Sequence, residues 1–479
     1  MTTDTTTAPA SQKLTLPTMT AMVIGGMVGA GVFSLPRRFA TETGVAGALI
    51  AWSIAGAGML MLAFVFQMLA LRKPELEAGV YAYAKAGWGE YLGFFSAFGY
   101  WASACVGNVT YWVLIMSTLG AVTPAMGDGD TLVAMLASTA GVWVFYLLIR
   151  RGVKGAAAIN RVVTIAKMLP ILVFILLALF AVDWSVLADN WSGGPGYDSL
   201  FDQVRDTMLV TVFVFLGVEG ASVYSRHAER REDVGRATIL GFVSVFCVFA
   251  SVTIVSYGIL PAAEIAELRQ PSMAGVLEEA VGQWGQVLVS IGLVVSVLGA
   301  YLAWTLMSSE VLFVAAQARD MPRFLAKVDD NDVPTASLLM TTALIQVMLV
   351  VTLFSDDAFN FALDLTSALT LIPFLLAAGY ALKLVITRET YEDQPHGWTR
   401  ELVISALATA YTMFLLFAAG PRFLLVSFVI YAPATILFVM ARREQGRTLF
   451  SPRELVVLGV SITGAVIGVV ALAAGWITI

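Results

Sequence analysis

Two ionisable side chains lie inside stretches that are otherwise apolar enough to cross a membrane. Lys167 lies within NRVVTIAKMLP, and Glu219 lies within FLGVEGASVYS. A charged group inside a bilayer is costly and is usually retained for a function such as holding or moving a proton. The competing interpretations are structural: Lys167 could extend to a membrane interface, and Glu219 could bind the amides of an irregular helix. Both residues are candidates for proton coupling or gating.

Two further acids lie in apolar stretches. Asp364 lies in LDLTSALTLIP, where Ser367 follows at helical spacing on the same face. The carboxylate could pair with the ammonium or guanidinium group of a cationic ligand, or it could be a structural acid of an outer cavity. Glu310 lies near the inner end of its apolar stretch, and we expect it to contribute to an inner gate.

Two apolar stretches are interrupted by glycines. The first reads MVIGGMVGAGVFSLPR from Met22 to Arg37, and the second contains LGVEG between Gln203 and Ser225. A glycine inside a helix costs about 1 kcal/mol relative to alanine, but a membrane span tolerates a break whose backbone lines a cavity. The N–H groups of one half-helix and the C=O groups of the other suit the carboxylate and ammonium of an amino acid. Alternatively, the glycines only permit close helix packing.

The elements that position these residues are predicted to be membrane helices. Of the 479 residues, 58% are hydrophobic and 13% are charged, and the hydrophobic residues form blocks of about 20 between short charged loops. The pattern predicts an all-α integral protein of the cytoplasmic membrane, in contact with the lipid bilayer. About thirteen spans are expected, at 16–41, 44–71, 90–122, 131–149, 155–182, 203–225, 235–259, 284–317, 335–354, 358–386, 401–419, 422–441 and 454–477.

The positive charges of the loops predict the orientation. With the N-terminus in the cytoplasm, most Lys and Arg residues fall in inner loops, which places the C-terminus outside after thirteen spans. The outer loops are acidic, which would concentrate cationic solutes unless these charges are only solvated. We expect residues 1–14 to be a disordered cytoplasmic tail, 15–388 to be a transport core of spans 1–10, and 389–479 to hold peripheral spans 11–13.

Several classes of function are excluded by the sequence. The net charge of −6 argues against a nucleic-acid-binding protein, which would normally be basic. Cys105 and Cys247 both lie inside predicted spans, so a disulfide framework is not expected. The chain contains no CxxC pair, no GxxxxGK(S/T) and no HExxH, and therefore we expect no enzyme, no cofactor and no metal site. If such a membrane protein moves solutes, the energy must come from gradients of ions or solutes, since the sequence has no nucleotide-binding motif.

Several motifs resemble those of the amino acid–polyamine–organocation (APC) superfamily. The matching strings are GGMVGAGVFSLP in the first span, FLGVEGASVYS in the sixth, WASACVGN in the third, LAWTLMSSE in the eighth and RDMPRFLAKV after it. The resemblance is strongest to the bacterial basic amino acid antiporters of the arginine/ornithine and lysine branch. It implies an APC/LeuT-like 5+5 inverted repeat, with broken first and sixth helices and the site between them.

The resemblance also implies where the substrate lies. Its carboxylate would bind amides around Ala30 and Gly31, and its ammonium would face the carbonyls of Met27, Phe213 and Leu216. The arginine/agmatine branch has a serine in place of Ala30 and a tryptophan gate in place of Phe213, so one hydroxyl contact and one indole donor are missing here. The remaining binding residues are expected in the third and eighth spans: Ser103, Asn108 and Trp304, the last stacking on the cationic side chain.

The same resemblance gives Lys167 a specific role. In proton-coupled members, a lysine at the matching position occupies the place of the sodium ion of sodium-coupled relatives and bridges the first and fifth spans. The leading interpretation is therefore an antiporter that exchanges cationic amino acids, arginine for ornithine first and lysine next. A proton-coupled uptake permease, with Lys167 and Glu219 titrating, is the alternative, and a non-transporting receptor is a third class. Proton coupling and a homodimer stay open.

Overall fold

The computed structural model describes residues 15–76, 79–152, 156–193, 196–219, 229–391 and 397–478, with side chains except at 156–166 and 231–232. Regular structure in these ranges is helical. The longer helices are α1 Leu16–Met27, α2 Gly31–Glu42, α3 Val45–Arg72, α4 Val80–Trp88, α5 Glu90–Gly120, α6 Leu132–Arg150, α7 Ala156–Ala181, α8 Trp184–Asp189, α9 Leu200–Val214, α10 Arg231–Ser256, α11 Ala262–Glu267, α12 Ser272–Val281, α13 Gln283–Gln317, α14 Thr335–Val351, α15 Ala358–Thr387, α16 Trp398–Ala418, α17 Gly420–Glu444 and α18 Pro452–Ala473.

The helices have the length and composition of a multi-pass membrane protein. Within the described ranges, ten helices are long and apolar enough to cross a bilayer, and α1 with α2 forms one further span bent by 50°. The remaining two predicted spans correspond to α7, whose part Lys167–Ala181 is a shorter apolar helix, and to α9. The predicted break in the first span is confirmed. In the sixth span α9 ends at Val214 and a turn follows, while 220–225, like the predicted tail at 1–14, lies outside the described residues.

Equivalent helices of the two predicted repeats pack in equivalent ways. The third span, α5, packs along α15, the tenth, and the eighth, α13, packs along α7, the fifth. A short helix precedes each of these spans: α4 leads through Gly89 into α5, and α12 leads through Gly282 into α13. Both glycines have a positive φ, 96° and 91°, a backbone conformation that glycine adopts far more readily than other residues. This correspondence fits two repeats of five spans.

The broken helices lie at the centre of the molecule. The first half-helix, α1, packs against α10 and α7, and the second, α2, packs against α9, α11 and α12. The C-terminal helices lie outside this core, since α16 packs on α15 and α3, while α18 packs mainly on α17. Exposed apolar side chains on α18, such as Val456 and Val466, suit contact with lipid tails.

Candidate functional site

The first break leaves a helix N-terminus inside the protein. The amide of Val28 donates to the carbonyl of Ile24 at 2.9 Å, which ends α1, and the amide of Phe33 donates to the carbonyl of Ala30 at 3.2 Å at the start of α2. The first N–H groups of a helix have no partner within it, and the helix dipole adds a partial positive charge there. Ala30 and Gly31 are fully buried, so these groups form an anion site away from bulk solvent.

The second break touches the first through glycine backbone. Gly217 has a φ of 103°, which other residues rarely adopt. A Cβ atom on Gly217 would lie 2.8 Å from the carbonyl carbon of Gly26 and 3.1 Å from the amide nitrogen of Met27. The two interrupted helices are therefore in direct backbone contact at their breaks, which only glycine permits at this distance.

A small cavity lies beside this contact. Six of the residues predicted to bind substrate line it: Met27, Gly31, Ser103, Phe213, Leu216 and Trp304. Sequence reasoning missed seven more: Gly26, Gly29, Ala104, Gly107, Tyr111, Val214 and Thr366. Tyr111 follows Asn108 by three residues and Gly107 by four, so helical spacing on one face was a signal that pointed to it.

Two aromatic side chains shape this cavity. Phe213, at the end of α9, lies so close to Gly31 that a Cβ there would be 2.8 Å from its Cδ1 atom. Trp304, in the middle of α13, is 8% exposed. A ring surface at this place can hold a cationic side chain by cation–π attraction.

Asn108 lies behind the cavity wall. It is fully buried, and its Nδ2 atom donates to Oγ1 of Thr305 at 3.2 Å. Its Oδ1 atom has no hydrogen-bond partner among the described residues. A buried amide oxygen normally has a partner, but this one is sealed from the cavity, whose lining among the described residues does not include Asn108.

Lys167 connects the fifth span to the first. Its side chain is buried, and Nζ donates to the carbonyl oxygen of Gly25, next to the break in the first span. The Lys167 side chain therefore does not extend to a membrane interface. The amino group lies beside the backbone of the first break.

Glu219 is held by two neighbouring elements. Tyr100 of α5 donates its hydroxyl hydrogen bond to Oε1 of Glu219 at 2.6 Å, and the amide of Gly217 donates to Oε2 at 3.1 Å. The carboxylate is fully buried. These contacts are those of an acid that stabilises the broken helix, and they also place an ionisable group at the second break.

Three further predicted site residues, two acids and a serine, do not line the cavity. Oδ1 of Asp364 lies 2.7 Å from Nη2 of Arg38, and this ion pair joins α15 to α2. Ser367 donates its hydroxyl hydrogen bond to the carbonyl of Leu209 at 2.8 Å and so joins α15 to α9. Glu310 is exposed on α13. The described residues that line the cavity therefore do not include Asp364, Ser367 or Glu310.

Two ion pairs join segments that flank the third and eighth spans. Lys85, in α4, pairs with Asp320, after α13, at 2.5 Å, and Arg269, between α11 and α12, pairs with Asp128, after α5, at 3.2 Å. Burial raises the pKa of Asp320 above its ordinary value, although Lys85 opposes this shift. Asp128 is far more exposed than Asp320, 71% against 14%, so the Arg269–Asp128 pair stabilises the fold less.

Known proteins are similar in sequence to this chain over nearly its whole length. A family model described as amino acid permease matches residues 14–441. An arginine/ornithine antiporter of Pseudomonas aeruginosa is 46% identical over 477 residues, covering 98% of this chain and 99% of that protein. A putative arginine/ornithine antiporter of Escherichia coli is 39% identical over 461 residues, covering 95% and 98%. An L-lysine transport protein of Corynebacterium glutamicum is 38% identical over 485 residues, covering 98% and 97%. The chain therefore belongs to the amino acid permease family.

Proposed function

We propose that the protein is a secondary transporter that exchanges cationic amino acids, with arginine and ornithine as the leading pair and lysine next. The observation that carries this proposal is the cavity between two helix breaks, with free amides of α2 on one side and Trp304 on another. The names of the similar proteins, two arginine/ornithine antiporters and a lysine transport protein, support the same substrate class. No catalytic step is proposed.

The substrate's backbone would be recognised at the breaks. Its carboxylate binds the amides at Ala30 and Gly31, where the helix N-terminus favours an anion. Its ammonium binds the carbonyl oxygens of Met27, Phe213 and Leu216. The carbonyl of Phe213 already accepts from the amide of Leu216 at 3.3 Å, but a carbonyl oxygen has a second lone pair for the substrate.

The substrate's side chain would be recognised further from the breaks. Its cationic end lies over the ring of Trp304, and Asn108 supports this side of the pocket from behind the cavity wall, through its hydrogen bond to Thr305. Phe213 closes over the bound ligand. Lys167 remains a fixed cation at the first break.

The orientation that we propose places the protein in the inner membrane with its N-terminus in the cytoplasm.

The substrate class is tested by displacement of labelled arginine from the purified protein. We expect ornithine and lysine to compete effectively, and citrulline, which has nearly the shape of arginine but no side-chain charge, to compete poorly. Citrulline competing as well as ornithine would contradict recognition of a cationic side chain.

Replacing Trp304 by leucine should weaken arginine binding by about 2- to 30-fold, since a cation over an aromatic face contributes about 0.5–2 kcal/mol. Phenylalanine at the same position should retain part of the affinity. Trp143, which lies on the exposed face of α6, provides a matched control as Trp143→Leu. The preference for arginine over citrulline should decrease only in the Trp304 variants; an unchanged preference would contradict stacking on Trp304.

A further inference from the structure

Tyr111 presents a hydroxyl group at the first helix break. It lies on α5, is 6% exposed and lines the cavity. A Cβ atom built on Gly29 would lie 2.9 Å from the Tyr111 hydroxyl oxygen. The hydroxyl therefore approaches the backbone immediately before the N-terminus of α2.

This hydroxyl has an unused donor. The Tyr111 hydroxyl has no hydrogen-bond partner among the described residues. Its oxygen is not among the fully buried polar atoms, and Tyr111 lines the cavity. The hydroxyl of a buried tyrosine normally finds a partner. Tyr431, also on the inside of the molecule, shows the usual arrangement, because its hydroxyl donates to the carbonyl of Leu369 at 3.0 Å.

The anion site at the break contains no hydroxyl of its own. The N-cap residue of α2 is Ala30, and its side chain makes no capping hydrogen bond. The break therefore supplies backbone amides only, whereas a carboxylate accepts several hydrogen bonds. The Tyr111 hydroxyl comes from a different helix and lies beside Gly29, two residues before α2, so an anion bound at this N-terminus would have a side-chain donor within the same cavity.

We propose that Tyr111 donates a hydrogen bond to the substrate's α-carboxylate and thereby selects amino acids over the amines that lack this group. The proposal rests on the proposed function and names a specificity residue of the same site. The competing explanation is that Tyr111 only fills space against the glycines of the first span. Phenylalanine would fill nearly the same space without donating a hydrogen bond, so the two explanations are separable.

The test compares arginine with agmatine, which has the same side chain and no carboxylate, as competitors of labelled ornithine. In Tyr111→Phe we expect the affinity for arginine to fall about 10-fold, the usual effect of losing a hydrogen bond to a charged group. The affinity for agmatine should stay within about 2-fold, because the removed contact is not made to it. Tyr431→Phe, which also removes a buried hydroxyl, should leave the ratio of arginine to agmatine unchanged.

A rescue variant separates recognition from packing. Tyr111→Phe combined with Ala30→Ser restores a hydroxyl at the same helix N-terminus, and we expect it to recover most of the preference for arginine. Unchanged arginine affinity in Tyr111→Phe would overturn the proposal, as would equal losses for arginine and agmatine without rescue. If the wild-type protein binds neither ornithine nor arginine, the proposed function fails first, and the assignment of Tyr111 fails with it.

Discussion

Replacing Gly217 by alanine should abolish amino acid exchange. Its φ of 103° is unfavourable for any residue with a side chain, and the new Cβ would lie 2.8 Å from the backbone of Gly26. A strained backbone residue costs about 1–3 kcal/mol, and here the neighbouring atom belongs to backbone that cannot rotate away. The two helix breaks must separate, which displaces the groups that bind substrate. We expect the exchange rate in proteoliposomes to fall on the order of 100-fold.

A matched glycine shows whether this effect is specific. Gly459 lies on α18, outside the core, and a Cβ there would meet no atom within 4 Å. Gly459→Ala should therefore insert and exchange like the wild-type protein. Both variants are compared at equal amounts of reconstituted protein. Full exchange by Gly217→Ala would contradict the direct contact between the two breaks.

Replacing Asp364 by asparagine should strongly destabilise the protein, because it removes the carboxylate that is directly paired with the buried guanidinium of Arg38. The side chains of the pair are only 9% and 12% exposed. Removing one partner of a buried pair typically costs about 3–5 kcal/mol, whereas replacing both by apolar residues is often nearly neutral. The double variant Arg38→Met/Asp364→Leu should thus be more stable than Asp364→Asn. Thermal unfolding in detergent measures both.

The same variants separate the two interpretations of Asp364. If Asp364 instead paired with the cationic end of the substrate, Asp364→Asn would mainly lower arginine affinity and the double variant would not recover it. An exposed ion pair provides the control: Arg205 and Asp206 are 32% and 34% exposed, and Asp206→Asn should cost less than about 1 kcal/mol. A stable Asp364→Asn variant with weak arginine binding would contradict the structural role.

Much of the architecture could be predicted because the bilayer imposes it. Apolar blocks of membrane length predicted the spans, and the glycines of GGMVGAG and LGVEG predicted where two of them break. The backbone contact of Gly217 with Gly26 gives the physical reason for those glycines. Local sequence was informative here because the interruption is itself a local property.

The partners of individual side chains were less predictable. Asp364 and Arg38 are 326 residues apart in sequence, so their pairing depends on how α15 packs against α2. Tyr111 lies on the same predicted span as Asn108, yet the position of the cavity relative to this helix depends on α2, α9 and α13 together. Such contacts arise from the packing of several helices, which periodicity in one helix does not determine.

The measurement that tests the central proposal most directly is uptake of labelled arginine into proteoliposomes loaded with ornithine, lysine, agmatine or buffer alone, with and without a membrane potential. The account predicts uptake that requires internal ornithine or lysine and is insensitive to voltage, because equal charges move in opposite directions. Each net charge moved would contribute about 2.3 kcal/mol per 100 mV, so voltage dependence would be evident. Uptake into buffer-loaded vesicles driven by a pH gradient would contradict exchange and indicate a proton-coupled permease.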